Sequence, residues 1–136
     1  MSDWNQQIIT EFRENDGKVG GYFANSTLLL LTTKGAKSGE ERISPVAYVT
    51  DGDKLVIIAS KAGAPTNPDW YYNLIANPVV SVEVGKERFQ VRAAVTQDEQ
   101  ERQRLYAKMV AMMPGFAEYE RKTTRKIPVF TLERVG

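Results

Sequence analysis

The 136-residue sequence contains no cysteine and no histidine. Without cysteine the chain has no disulfide and no thiol nucleophile, which fits a cytosolic protein. Without histidine there is no Ser-His-Asp triad, and without either residue there is no ordinary zinc site, so we expect no bound metal. Any difficult chemistry that the protein performs is therefore expected to belong to a bound cofactor.

Long apolar runs and an excess of one charge are also missing. Eighteen Lys and Arg residues against 17 Asp and Glu give a formal net charge of +1, so global charge predicts no nucleic-acid partner. No stretch approaches the roughly 18 apolar residues of a membrane span, and the N-terminus shows no signal peptide. The length and the 42% of hydrophobic residues indicate one domain, residues 1–136, with a substantial core.

The N-terminal segment, residues 1–16, is predicted to form a short helix ahead of the rest of the domain. Gly17 ends it. The helix could serve as a packed lid, as a dimer contact or as a peripheral contact with the inner face of the cell membrane, although its polar face is mostly acidic and anionic lipid would repel it. Its apolar residues recur at helical spacing on one face: Trp4, Ile8, Ile9 and Phe12.

Residues 22–136 predict a mainly β domain of the α+β class, with about six antiparallel strands and, counting the N-terminal helix, three to four helices. Hairpin turns between successive strands favour a small barrel over a doubly wound sheet. Pro45 implies an edge or a bulge in the second strand. The predicted strands span residues 27–33, 43–50, 54–60, 79–84, 87–95 and 127–134.

Two helix starts carry specific signals. Asn67 is the predicted N-cap of a helix whose first residue is Pro68. Thr96 and Glu99 form a predicted capping box for a longer helix over about residues 97–113.

The loop over residues 34–42 combines glycines with fixed cations. Its glycines can turn backbone amides toward an anion, while Lys37 and Ser38 add a charge and a hydroxyl donor. Arg42 could bind a carboxylate or phosphate through two hydrogen bonds. The alternatives are a plain polar hairpin turn and an arginine paired with one of the two preceding glutamates.

The loop over residues 59–71 joins a second cation to aromatic residues. Lys61 follows an apolar strand and precedes a helix N-terminus, which suits a phosphate, although a solvated loop lysine is the alternative. Trp70, Tyr71 and Tyr72 point about 100° apart on a helix, so at least one should line a pocket or an interface. For Trp70 itself, core and pocket wall are both open.

A methionine and aromatic group follows the long helix. Phe116 and Tyr119 share a face of a short helix that reaches about residue 122, and Met113 lies beside them. Such a wall suits a hydrophobic substrate and is equally typical of a core. Tyr119 could donate a proton if its hydroxyl reaches a pocket.

Five short motifs follow one another in a fixed order along the chain. They read Thr32-Thr33-x-Gly35-x-Lys37-Ser38-Gly39-x-x-Arg42, Pro45, Ala59-Ser60-Lys61-x-Gly63, Asn67-Pro68-x-Trp70-Tyr71-x-Asn73-Leu74 and Ala76-Asn77-Pro78. This order closely resembles the deazaflavin-dependent nitroreductase family of actinobacteria, from about residue 20 to the C-terminus. The resemblance implies a split β-barrel like the FMN-binding barrels and the reduced deazaflavin coenzyme F420 as hydride donor.

The resemblance also implies which residues surround the cofactor. The phosphate and oligoglutamate tail would be held by Ala36, Lys37 and Ser38 with Arg42, and the deazaflavin would be lined by Ile43, Ser44, Pro45, Val46, Ala47 and Tyr48. The cofactor would be flanked by Ile58, Ala59, Ser60 and Lys61, with Lys61 on the phosphate. The ring and tail would be covered by Asp69, Trp70, Tyr71, Tyr72 and Asn73.

One stretch departs from the family pattern. The nitroreductase that gives the family its name has a tyrosine-rich stretch after the long helix, which is implicated in orienting substrate. The matching positions here are Met113, Phe116 and Tyr119, which we take as the candidate substrate-binding residues. Phe116 cannot donate a proton, which counts against reduction of nitroimidazole prodrugs and leaves Tyr119 or water as the proton source.

The implied function is an F420H2-dependent reductase that transfers a hydride to a hydrophobic, electron-poor acceptor such as a quinone, an activated enone or a nitro compound. One alternative is an FMN-binding barrel that uses the same cations for the flavin phosphate. A second is a non-catalytic protein that carries the deazaflavin. A homodimer is also open, because split barrels commonly pair through the sheet.

Overall fold

The computed structural model describes residues 3–15 and 27–135. These residues form a closed barrel in the order β1-β2-β3-β6-β5-β4, in which every neighbouring pair is antiparallel. The predicted antiparallel split barrel is confirmed. The elements are α1 Asp3–Glu14, β1 Leu28–Lys34, β2 Glu41–Asp51, β3 Lys54–Ile58, a 3-10 turn Lys61–Gly63, α2 Asp69–Ala76, β4 Val79–Val84, β5 Glu87–Val95, α3 Glu99–Met112, α4 Gly115–Lys122 and β6 Val129–Arg134.

The continuous apolar run of β1 is explained by burial of both of its faces. Leu29 and Leu31 face the barrel interior, where they join a cluster that includes Phe130 and Leu132. Leu28 and Leu30 belong to a separate cluster outside the barrel, because successive strand residues point to opposite faces. The strand is therefore central, as the sequence predicted.

The helix α1 supplies the cover for that outer cluster. Ile8, Ile9 and Phe12 are buried against Leu28 and Leu30, so the predicted apolar face is confirmed for these three residues. The barrel occupies this face, and the described residues of α1 that stay exposed are polar: Gln6, Gln7, Thr10, Arg13 and Glu14. Gly17 and the side chain of Trp4 lie outside the described residues.

Within the described residues, no helix combines the length and the apolar character needed to cross a bilayer.

The strand β2 is partly unpaired on one side. Residues 41–47 pair with β1, whereas pairing with β3 is confined to residues 48–51. Pro45 lies in the half without a β3 partner, so the predicted local edge is confirmed. This half of β2 borders the opening that becomes the candidate site.

Both predicted helix caps are wrong by one or two residues. The helix α2 begins at Asp69, with Pro68 as an extended N-cap at ψ 157°. The cap of α3 is Asp98, whose side chain accepts a hydrogen bond from the backbone N–H of Glu101 at 3.0 Å. The N–H of Thr96 bonds to the carbonyl of Val129 in the sheet, so it is not available to the Glu99 side chain as the predicted capping box requires.

The remaining helices cover two other parts of the barrel. The helices α3 and α4 pack on the outward-facing residues of β3 and β6, and α2 closes one end by adding Leu74 to the interior cluster. The end that α2 covers is also where the β1–β2 turn projects.

Candidate functional site

Two adjoining clefts lie between the β1–β2 turn, β2 and α2. The larger, which we call the turn cleft, has a volume of about 700 Å³, and the smaller, the strand cleft, about 360 Å³. The turn cleft is lined by Gly35, Ala36, Lys37, Ser38, Arg42, Asp69, Tyr72 and Asn73. The strand cleft is lined by Glu41, Arg42, Ile43, Ser44, Asp69, Trp70 and Asn73.

The β1–β2 turn is closed by short backbone hydrogen bonds. Gly35 N–H donates to the carbonyl of Glu40 at 2.7 Å, and Gly39 N–H donates to the carbonyl of Gly35 at 2.9 Å. A Cβ atom on Gly35 would lie 2.5 Å from Ser38 Oγ, so a side chain at this position would force the Ser38 hydroxyl to move. Ser38 Oγ accepts from Glu40 N–H at 3.2 Å, which leaves the hydroxyl hydrogen available to an anion.

Asn73 ties α2 to this turn. Its side chain is buried, with 6% of its surface exposed. Asn73 Nδ2 donates to Thr33 Oγ1 at 3.0 Å, and Asn73 Oδ1 accepts from Ala36 N–H at 2.9 Å. The amide that the sequence predicted to touch the cofactor is thus engaged within the protein, where it fixes the position of Ala36.

The cations of the turn cleft have no carboxylate partner among the described residues. Lys37 and Arg42 are exposed, and neither forms an ion pair within residues 3–15 and 27–135. The alternative in which Arg42 pairs with a preceding glutamate is therefore not observed. Asp69 is the one carboxylate among the lining residues of the turn cleft, whereas Glu41 joins it in the strand cleft. An anionic group fits the turn cleft better than the strand cleft.

Only the first residues of β2 reach the clefts. Arg42 and Ser44 continue the row that faces the barrel interior at Val46 and Tyr48. Ile43 lines the strand cleft and also packs toward α1. The other predicted residues of this strand line neither cleft: Pro45, Val46, Ala47 and Tyr48.

The three consecutive aromatics of α2 take different roles, as the helical spacing required. Trp70 lines the strand cleft and also packs edge-on against Phe130, with ring centroids 5.8 Å apart, so both of its alternatives apply. Tyr71 packs against Phe130 at 5.7 Å. Tyr72 is 50% exposed and lines the turn cleft.

The residues that follow β3 do not line either cleft. Ile58 is buried against α3, and Ala59 is buried in the barrel interior. Ser60 is also buried. Lys61 is exposed with φ at 48°, a left-handed conformation that few side-chain-bearing residues adopt, and its Nζ donates to Thr66 Oγ1 at 3.3 Å.

The methionine and aromatic group belongs mainly to the layer of α3 and α4. Phe116 has 7% of its surface exposed and packs against Tyr119 with ring centroids 4.9 Å apart, so the core alternative applies to Phe116. Met113 and Tyr119 are half-buried around it. Burial raises the pKa of Tyr106, whose hydroxyl donates to the carbonyl of Phe116 at 2.6 Å.

The role of Arg125 could not be predicted from the sequence. Its guanidinium reaches the loop between β3 and α2, about 60 residues earlier in the chain. In the sequence it stands in a basic run that looks like a solvated surface, and no local pattern marks such a distant contact.

Comparison with known proteins identifies the family. The profile of the F420H(2)-dependent quinone reductase family matches residues 4–134. The chain belongs to this family.

Relatives of known description agree with the assignment. An F420H(2)-dependent quinone reductase of Mycobacterium tuberculosis is 36% identical over 129 residues, which are 90% of this chain and 85% of the relative. The solved structure of an F420-H2 dependent reductase, FDR-A, is 42% identical, covers 78% of this chain and 93% of its own, and gives a TM-score of 0.71. A second solved structure, described as a domain-swapped dimer, is 38% identical over 96% of this chain and 98% of its own, with a TM-score of 0.73.

As a member of the F420H(2)-dependent quinone reductase family, the protein is an oxidoreductase whose cofactor is coenzyme F420. The comparisons give no support to FMN as the alternative cofactor. Within the described residues, no group of three or more His, Cys, Asp or Glu side chains could hold a metal ion.

The two clefts fit such a cofactor in their chemistry. The deazaflavin carries a phosphate and an oligoglutamate tail, which require cations and hydrogen-bond donors, and the turn cleft offers Lys37, Arg42 and the Ser38 hydroxyl. Its ring is planar, and the strand cleft offers the indole of Trp70.

Proposed function

We propose that this member of the family reduces a quinone with a hydride from F420H2, with the cofactor tail in the turn cleft and the ring in the strand cleft. The relative from Mycobacterium tuberculosis is described as a quinone reductase, which supports the choice of acceptor. The observation that carries the proposal is the pair of exposed cations, Lys37 and Arg42, in the turn cleft. When bound, the reduced deazaflavin supplies the hydride.

The residues of the chain bind the cofactor and orient it. Lys37 and Arg42 pair with the anionic tail, and Ser38 donates a hydrogen bond to it. Ile43 and Trp70 border the ring and exclude water from it, because both present apolar surface to the strand cleft. Asp69 lines both clefts and repels an anionic tail, so the attraction of Lys37 and Arg42 has to outweigh this repulsion.

The remaining candidates have supporting roles. Lys61 is proposed as a further phosphate ligand, because its ammonium is exposed and its hydrogen bond goes to a neutral hydroxyl. Met113 and Tyr119 are proposed to contact the acceptor, since both keep some exposed surface where Phe116 is buried. A proton then comes from Tyr119 or from water.

A homodimer is proposed from the relative that is described as a domain-swapped dimer, because 38% identity over nearly the whole of both chains makes a shared assembly the simplest expectation.

The test is a fluorescence titration of the purified protein with F420 and, in parallel, with FMN. We expect binding of F420 in preference to FMN. Replacing Lys37 or Arg42 by Ala should each weaken F420 binding by about 1.5 to 3 kcal/mol, the value of a charge-assisted hydrogen bond.

Arg88→Ala is the matched control, because Arg88 is an exposed arginine on β5 and lines neither cleft. It should leave the affinity unchanged. Wild-type affinity in the Lys37→Ala, Arg42→Ala double variant would contradict the placement of the tail, and a preference for FMN would contradict the cofactor.

A further inference from the structure

Arg125 lies between α4 and β6 and contacts the loop that connects β3 to α2. All of its hydrogen bonds to this loop go to neutral oxygens. Nε donates to the carbonyl of Ala64 at 2.9 Å, and Nη1 donates to Asn67 Oδ1 at 2.8 Å. Nη2 donates to the carbonyls of Ser60 at 2.8 Å and Ala59 at 3.2 Å.

These four acceptors enclose the 3-10 turn at Lys61–Gly63. Ala59 and Ser60 precede the turn, and Ala64 follows it. The turn includes two left-handed residues, Lys61 at φ 48° and Gly63 at φ 82°. A backbone of this kind persists only where its surroundings hold it, and the guanidinium holds it from both sides.

The same side chain also contacts the residue that precedes the N-cap of α2. Asn67, which Arg125 binds, stands directly before the N-cap Pro68, and Asp69 of α2 lines both clefts. One guanidinium therefore contacts both the backbone on either side of Lys61 and the residue that leads into α2.

We propose that Arg125 is a positioning residue for cofactor binding. It holds residues 59–67 in the conformation that directs Lys61 toward the phosphate and sets α2 against the β1–β2 turn. This inference rests on the proposed function for the role of Lys61, while the effect of Arg125 on the loop does not depend on any cofactor.

The geometry requires arginine rather than a positive charge alone. A guanidinium presents five N–H donors in a planar fork, whereas an ammonium presents three donors from one point. Lysine at position 125 keeps the charge but cannot reach oxygens on both sides of the turn. Arg125→Lys therefore separates positioning from electrostatic attraction.

The first measurement is hydrogen exchange in the cofactor-free protein. Arg125→Lys and Arg125→Ala should both speed exchange in residues 60–67, where the amides of Gly63 and Ala64 bond within the turn. Arg121→Ala is the control, because Arg121 pairs with Glu118 on the exposed face of α4. Unchanged exchange of the loop in both Arg125 variants would overturn the inference.

The second measurement is F420 titration of the same folded variants. Arg125→Lys should weaken binding about tenfold, the scale of one charge-assisted hydrogen bond, and adding Lys61→Ala to it should cost little more. Wild-type affinity in Arg125→Lys would overturn the positioning role. The same holds if the loss of binding free energy in the double variant equals the sum of the losses in Arg125→Lys and Lys61→Ala. If instead the wild-type protein fails to bind F420 while the exchange result holds, the proposed function is wrong and the Arg125 contact with the loop stands.

Discussion

At the scale of single residues, Asn73 connects the two sides of the turn cleft. Its buried amide donates to Thr33 on β1 and accepts from the backbone of Ala36 in the turn. One side chain therefore holds the turn against α2. The position of the cations beside Ala36 depends on this contact. Asn73 therefore contributes to the site by holding its two sides together as well as by lining the clefts.

We predict that Asn73→Ala lowers the free energy of unfolding by about 2 kcal/mol, because it leaves the buried hydroxyl of Thr33 and the N–H of Ala36 without their hydrogen bonds to the amide. F420 affinity should fall with it, as the turn loosens. Urea unfolding and F420 titration measure the two effects. Asn77→Ala is the control, since Asn77 follows α2 and its side chain forms no hydrogen bond within the described part of the chain. Equal losses in both variants would contradict the role of Asn73.

The same residue shows what a sequence pattern could and could not predict about the site. The cations of the turn and the aromatics of α2 could be singled out from the sequence as candidate ligand contacts, because each set has a local signature, and their contact with the cofactor stays a prediction. The bonding of Asn73 joins residues 40 and 37 positions apart, and that of Arg125 spans 58 to 66 positions. No local pattern encodes contacts of that separation.

At the scale of secondary structure elements, alternation and turn signals predicted the strands well. The bounds of β4 and β5, Val79–Val84 and Glu87–Val95, agree with the prediction to the residue. The start of α3 was wrong because Thr96 and Asp98 are both good capping residues. A tertiary contact decides between them, since the Thr96 N–H remains bonded to Val129.

The helix α3 is fastened to the end of β2 by a charged cluster, which gives the stability a dependence on pH. Asp51 accepts hydrogen bonds from Arg104, at 2.8 and 3.0 Å, and from Lys108 at 3.2 Å. The hydrogen bonds from Arg104, followed by that from Lys108, lower the pKa of Asp51. A carboxylate with a lowered folded pKa stabilises the protein above its ordinary pKa and loses that contribution as the pH falls.

We predict that Asp51→Asn lowers the melting temperature at neutral pH and that the difference from wild type shrinks below about pH 4, where free aspartate protonates. Thermal unfolding between neutral and acidic pH measures the difference. Asp53→Asn is the control, because Asp53 lies in the same hairpin turn and forms no ion pair within the described residues. If the melting temperature of Asp51→Asn differed from that of wild type by the same amount at every pH, the stabilising role of the Asp51 carboxylate would be contradicted.

At the scale of the whole molecule, charge is balanced overall and separated locally. The formal net charge is +1, yet Lys37 and Arg42 stand together in the turn cleft without a carboxylate partner in the described residues. Composition alone therefore predicted no anionic ligand, whereas the order of residues along the chain did. The barrel closure that brings the turn to α2 is a property of the full set of strand pairings, which no single segment reveals.

We predict that salt weakens F420 binding more than it weakens the fold. Raising the ionic strength from 0.1 to 1 M shortens the screening length from about 10 to 3 Å, which reduces attraction between the cleft cations and the anionic tail. Wild-type affinity should fall severalfold over this range, whereas the Lys37→Ala, Arg42→Ala double variant should show a much flatter response. Titration at several salt concentrations, with urea unfolding at each, measures both. An equally steep salt dependence in the double variant would mean that other cations hold the tail, and Lys61 would then be the first to replace.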